Sequence, residues 1–212
     1  MRKRTLTLFL LLVCVALAFA TSAGPTLAGT GGTSGGCDGG TTFCWSNPSN
    51  ITANDGTFAT VTLGASGTSN ELQGTNFGFF IAAGSTINGI TVEIFKKSIS
   101  GSSTDVDVTI IKAGTATGTN LGHTGAANNW LSAGGIDTYG SSSTLWGTTW
   151  TPSDINASNF GVQISCVDWV GLGATAGVDF MRITVTFTPP PGGGHRIIQT
   201  QIRNGILKQR PA

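Results

Sequence analysis

The tightest constraint on how this chain can fold is a two-residue period in the stretch from Asn76 to Lys112, NFGFFIAAGSTINGITVEIFKKSISGSSTDVDVTIIK. Ile90, Val92 and Ile94 alternate with Thr91, Glu93 and Phe95, and Val106, Val108 and Ile110 alternate with Asp107 and Thr109. Successive strand residues point to opposite faces, so each row predicts a strand with one buried face. The apolar runs are too short for stable helices. Turn residues separate them: Ala-Gly-Ser before Thr86, Asn88-Gly89, and Ser-Gly-Ser-Ser around Gly101.

The same pattern recurs along the chain. Thr57 to Leu63 sets Phe58 and Thr60 against Ala59, Val61 and Leu63. Glu71 to Ile81 carries Phe77, Phe79 and Ile81 on one face. Asn159 to Val167 and Val178 to Thr188 close the set, with Ile183, Val185 and Phe187 together. Strands joined by many glycine-rich turns explain how a chain with 32 glycines and only 10% charged residues can still bury a core. The predicted fold is all-β: one antiparallel two-sheet β-sandwich, jelly-roll-like, of eight to ten strands over residues 44–188. Thr151-Pro152-Ser153-Asp154 interrupts it with a one-turn helix start, Thr151 as cap and Pro152 at the first helical position.

The flanks read differently. Residues 1–28 have the pattern of a secretory signal peptide: Met-Arg-Lys-Arg, an apolar run from Leu6 to Ala20, then small residues that offer cleavage after Ala20, Ala23 or Ala28. The run is shorter than the roughly 20 residues a spanning helix needs, so no membrane span is expected after cleavage. Residues 29–43 read as a glycine-rich spacer. Cys37 and Cys44 enclose a short loop, and export permits a disulfide between them, worth about 2–3 kcal/mol by loop entropy. Cys166 alternates with Phe160, Val162 and Ile164 and reads as a buried, inert thiol. Pro189 to Gly194 is a linker. The basic tail, 195–212, places Asn204-Gly205 between two short runs, which suits a hairpin or an added strand, with Ile198, Ile202, Ile206 and Arg203 as assembly residues.

Charge is divided unevenly. Three of the eleven bases precede the apolar run and four lie in the last 17 residues. The four that remain face all ten acids, so the body is near −6 and the tail near +4. An acidic body argues against nucleic acid as a partner, because phosphate contacts need clustered Lys and Arg.

Candidate chemistry is sparse. Asn54 and Asp55 sit in a turn with Gly56 and could supply oxygens to calcium, the one candidate cofactor, although an Asx turn explains the same residues. Asp105 and Asp107 lie two apart in a predicted strand and should share a solvated face. With Asp137 and Asp179 they form the only pool of acids a polysaccharide hydrolase could draw on. His123 stands in an irregular segment, 113–144, with no nucleophile motif near it, and reads as a surface-loop histidine. Trp146 and Trp150 lie four apart, either as a sugar-stacking platform or as core. Trp169, in the apolar, glycine-rich loop Asp168 to Gly173, is the main candidate for an exposed contact anchor.

The segments NFGFFIAAGSTINGITVEI, YGSSSTLWGTTWTPSDINASNFGVQIS and VDFMRITVTFT together resemble a recurrent β-sandwich domain of uncharacterised bacterial and phage-associated surface proteins. The resemblance covers about Trp45 to Thr188. It rests on the Asp55-Gly56 turn, Phe77-Gly78-Phe79, Gly89-Ile90, Trp146-Gly147, Phe160-Gly161-Val162 and Val178-Asp179. Ala82 stands where that domain usually has proline. The resemblance implies a jelly-roll module similar to galactose-binding-like sandwiches and brings no catalytic residues. The function expected is that of a non-catalytic structural or adhesive protein, secreted or at the cell surface, whose partner is itself, a cell surface or a glycan. A carbohydrate-binding, lectin-like module is the alternative.

Overall fold

A computed structural model describes residues 19–191. They form an antiparallel two-sheet β-sandwich. The first sheet contains β1 (Thr21–Leu27), β4 (Ala59–Leu63), β7 (Thr86–Ser100), β10 (Gly135–Gly140) and β12 (Ala174–Thr188). β12 is its spine. It pairs with β7 along one edge, and on the other with β4 at its start and β1 at its end. β10 extends the sheet beyond β7. The second sheet contains β2 (Thr30–Ser34), β3 (Thr42–Phe43), β5 (Thr68–Ser69), β6 (Glu71–Thr75), β8 (Ser103–Lys112), β9 (Thr115–Thr117) and β11 (Gly161–Asp168). Here β11 is central, between β8 and the β6/β5 pair. All pairings are antiparallel except β3 with β5. Nine strands, β4 to β12, lie within residues 44–188, in keeping with the eight to ten expected there, and β1 to β3 precede them.

The period-two rows meet in the middle. Ile90, Val92 and Ile94 from β7, Ile183 and Val185 from β12, and Val162, Ile164 and Cys166 from β11 are all fully buried. Burying such side chains contributes about 1.5–3 kcal/mol each, which is what holds the two layers together. Phe77, Phe79, Phe160 and Trp150 close one end as an aromatic cluster with centroids 5.4 to 6.3 Å apart. The one-turn helix α1 (Pro152–Asn156) starts as expected. The Thr151 hydroxyl accepts from Asp154 N–H, and the Asp154 carboxylate accepts from Thr151 N–H.

Several expectations are corrected. Asn88-Gly89 is not a turn: β7 runs straight through it, and Gly89 is required because the backbone of Ser141 to Ser143 crosses where a Cβ would stand. Phe77 to Ile81 is irregular backbone, although Phe77, Phe79 and Ile81 are buried as expected. The boundary of the sandwich also moves. Thr21–Leu27 is the strand beside β12, and Thr30–Ser34 pairs in full register with β6. The segment 29–43 is therefore structured rather than a spacer. Cys37 and Cys44 are paired, and Asp38 accepts from the N–H groups of Gly40, Thr41 and Thr42 inside their loop. The reason is edge satisfaction: β6 and β12 each leave a row of N–H and C=O groups that these N-terminal segments cover.

Residues 1–18 and the tail with Ile198, Ile202, Arg203 and Ile206 lie outside the described residues. Among the described residues, no helix is long and apolar enough to cross a membrane.

This boundary has a measurable consequence. A chain beginning at Thr21 keeps β1, whereas one beginning at Gly29 uncovers half of the β12 edge. The shorter chain is expected to melt lower by roughly 5 °C or more in a thermal scan, given 2–4 °C per kcal/mol at this size, and to self-associate.

Candidate functional site

The polar centre of the molecule arises from one irregularity. β8 pairs with β11 so that Asp107 faces Ser165 and Asp105 faces Cys166, leaving Val106 as an extra residue without a partner. An extra residue in one strand is a β-bulge, and it reverses which side chains point inward. Val106, expected in the buried row, is 37% exposed, while Asp105 is 1% exposed and points between the sheets. Asp105 and Asp107 therefore do not share a solvated face. The side chain of Asn120 holds the bulge from outside: its Oδ1 accepts from Val108 N–H at 2.9 Å and its Nδ2 donates to the Val106 carbonyl at 2.8 Å. A side-chain amide thus takes the place of a neighbouring strand.

Across from Asp105, β7 delivers a lysine. Lys96 follows Ile90, Val92 and Ile94 in the same inward row and is 3% exposed. Its Nζ donates to Asp105 Oδ1 at 2.6 Å and lies 2.6 Å from the Tyr139 hydroxyl and 2.7 Å from Asp137 Oδ2. Asp137 and Tyr139 lie two apart on β10 and so reach the same side. The Asp105 carboxylate accepts four hydrogen bonds. Lys96 Nζ and Trp130 Nε1, at 2.7 Å, go to Oδ1; the Tyr139 hydroxyl and His123 N–H, both at 2.8 Å, go to Oδ2. Lys96 Nζ also sits 5.0 Å from the Trp130 ring centroid and 5.3 Å from that of Tyr139, a favourable placement for a cation. Burial, reinforced by Asp105, pushes the Tyr139 hydroxyl far above the ordinary phenol range, so it stays a donor.

The segment carrying His123 and Trp130 is stitched to both sheets. Trp130 N–H donates to the Ser103 carbonyl, Ser98 N–H to the Leu131 carbonyl, and the Thr104 hydroxyl to the His123 carbonyl. His123 is half exposed and stacks on Tyr139 with centroids 4.8 Å apart. A cavity of about 30 Å³, bordered by Lys96, Trp130, Leu131 and Asp137, opens beside the lysine. It has room for about one water.

Asp105, His123 and Asp137 bring ligand-type atoms within 4.8 Å of one another. The Lys96 ammonium already supplies positive charge between the two carboxylates, and a metal ion would have to displace it. The cluster is complete as an ion network.

The other candidate residues are dispersed. Asp55 Oδ1 accepts from Thr57 N–H at 2.9 Å, the Asx-turn arrangement, and across from it Asp179 accepts from Gly56 N–H; the turn is held by its own hydrogen bonds, with Asn54 at its start. The four acids of the hydrolase pool do not converge: Asp105 and Asp137 share Lys96, Asp107 bonds Gln163 on the outer face, and Asp179 serves the Gly56 turn. Trp146 and Trp150 are buried and present no platform. Trp146 holds left-handed backbone, φ 57°, stabilised by packing and by its indole donating to the Ile90 carbonyl at 2.9 Å. Trp150 packs edge-on against Phe160 and donates to the Leu145 carbonyl. Cys166 is buried and free, its thiol pushed up to about 12 by burial.

Trp169 is 51% exposed, with Val170 and Leu172 exposed beside it, Leu172 at 87%. Asp168 pins this loop. Its Oδ2 accepts from Ser66 and Gly173 N–H and its Oδ1 from Val170 N–H. Burial opposes ionisation of Asp168, but these backbone donors outweigh it and hold the carboxyl below the usual range.

Glu71, on the outer face of β6, goes the other way. Burial, then the charge of Asp107, raises its carboxyl to about 7. A scan against protein-family models and searches of curated proteins and of solved structures find no match to the chain.

Two outcomes follow from these electrostatics. Lys96→Met leaves the Asp105 charge buried without its cation, and is expected to lower stability in urea titration by about 3–5 kcal/mol. A double variant that also replaces Asp105 with Leu should recover most of the loss. Glu71 ionises at higher pH folded than unfolded, so its stabilising protonated form is complete below pH 4.5 and lost as pH rises through about 7. Thermal midpoints should fall across that window in the parent chain, and Glu71→Gln should flatten this fall.

Proposed function

We propose that this chain is an exported, non-catalytic β-sandwich that works by contact, as a structural or adhesive protein of the cell surface or its surroundings. The observation that carries the reading is the loop from Asp168 to Gly173. It offers Trp169, Val170 and Leu172 to solvent, yet Asp168 holds its backbone in place through three N–H groups. Apolar side chains on a fixed loop lose little entropy when a partner covers them, and a tryptophan anchor supplies binding energy out of proportion to its size.

The resemblance to sandwich domains of bacterial and phage-associated surface proteins supports the same reading. Trp169 also favours glycan as the partner, because an exposed indole face can stack on a sugar ring. With Trp146 and Trp150 in the core, that reading rests on Trp169 alone. Assembly through the basic tail, and calcium as a stabiliser, belong to the proposal without support from the described residues.

Co-sedimentation of the purified chain with insoluble polysaccharides and with whole cells tests the contact loop. Trp169→Ala and Leu172→Ser are each expected to weaken binding tenfold or more, the effect of losing about 1.4 kcal/mol or more at a hot spot, with unchanged thermal midpoints. Binding that both variants leave intact would remove this loop from the function.

A further inference from the structure

The contact between Lys96 and Asp105 is closer and drier than a solvent-exposed ion pair, and its surroundings are chemically specific. The amine and the carboxylate come from different sheets and meet at 2.6 Å with both side chains out of water. With Oδ1 against Nζ, the carboxyl carbon Cγ is one covalent bond beyond. Asp137 Oδ2 touches the same Nζ at 2.7 Å, and the Asp137 side chain is 40% exposed, so one proton acceptor links the amine to solvent. Trp130 Nε1–H points at Oδ1, and the Tyr139 O–H and His123 N–H point at Oδ2. The cavity beside Lys96 and Asp137 can take one water.

We propose that Lys96 and Asp105 condense into an intramolecular amide that joins the two sheets. The Lys96 ammonium passes one proton through the Tyr139 hydroxyl to Asp105 Oδ2, leaving a free Nζ lone pair beside a carboxylic acid. Nζ attacks Asp105 Cγ and a C–N bond forms. The charge that develops on Oδ1 faces the indole N–H of Trp130, a fixed donor of the kind that stabilises oxyanions. The Cγ–Oδ2 bond then breaks. Oδ2 departs as water, carrying the proton it received through Tyr139 and the second proton of the attacking nitrogen, which Asp137 accepts and returns. Ammonium and carboxylate become amide and water, with no oxidant, reductant or further reactant. Holding the two groups in contact converts a bimolecular condensation into a unimolecular one, an advantage that reaches effective molarities of about 10⁵–10⁸ M. The folded sandwich is thus both the catalyst and the substrate, and the unfolded chain cannot react.

Mass spectrometry of the full, folded chain after reduction and denaturation tests this. The chain is expected to be lighter than its sequence by one water, and Lys96→Arg is expected to have its full sequence mass. Trypsin should leave residues 98–112 attached to the peptide ending at Lys97, with the join at Lys96 and Asp105 by fragmentation. That fragment separates the amide from a cyclised Asp-Gly, which also loses water. Asp105→Asn should lose ammonia in place of water. Asp137→Ala, a partly exposed position, should fold and cross-link about 10²–10⁴-fold more slowly, the usual contribution of a positioned proton acceptor. A folded parent chain that keeps its full mass after prolonged incubation, with residues 98–112 released as a separate peptide, would overturn the proposal and leave a buried ion pair only.

Discussion

A carboxylate placed between two β-sheets must find donors for both oxygens, because water cannot reach it. Asp105 meets this requirement with an ammonium, an indole, a phenol and a backbone amide. Each donor comes from a different part of the chain: β7, the Trp130 and His123 positions of the connecting segment, and β10. Removing any one leaves part of a buried charge uncompensated, which costs far more than losing a solvated hydrogen bond. The polar node therefore fixes how β7, β8, β10 and the connecting segment sit together, which apolar packing alone would specify less sharply.

Strand irregularity and loop order are linked through this node. The bulge at Val106 turns Asp105 inward, and Asn120 supports the bulge from the segment whose next residues, His123 and Trp130, cap the carboxylate. The β7–β8 hairpin turn also touches the Trp169 loop, where Trp169 N–H donates to the Ser102 carbonyl. Asp168 rigidifies that loop by the same device of a buried carboxylate collecting N–H groups. A module whose work is contact benefits from this: the apolar side chains are exposed, and the backbone beneath them is held.

How much of this was legible in the sequence depends on the length scale of the cause. Period two located β4, β7, β8, β11 and β12 and, Val106 apart, their buried rows, because alternation is a local property. The Thr151 capping box is also local, and it is present. The same period sets Lys96 in the row of Ile90, Val92 and Ile94, a signal of a buried cation that was missed. A β-bulge has no such signature: Asp105 and Asp107 alternate in sequence, and only the pairing with β11 shows that one residue is extra. Asn120, Trp130 and Tyr139 matter through contacts 12 to 34 residues away, beyond any window of periodicity. Asn88-Gly89 has the composition of a turn, but the closeness of another backbone segment explains its glycine instead. The N-terminal strands were missed because Thr21–Leu27 reads as the small-residue end of a signal peptide, and Thr30–Ser34 as a spacer, until the edges they cover are known.

Reaction of the native chain with an amine-selective reagent, read residue by residue, tests the inward placement of Lys96 most directly. Lys96 and Lys97 are neighbours on opposite faces of β7, so the two report register against each other. With Lys96 between the sheets, Lys97 and Lys112 should be modified rapidly in the native chain while Lys96 stays unmodified. Modification of Lys96 at the rate of Lys97, or protection of Lys97 in its place, would mean that the row faces water and that the polar node does not exist.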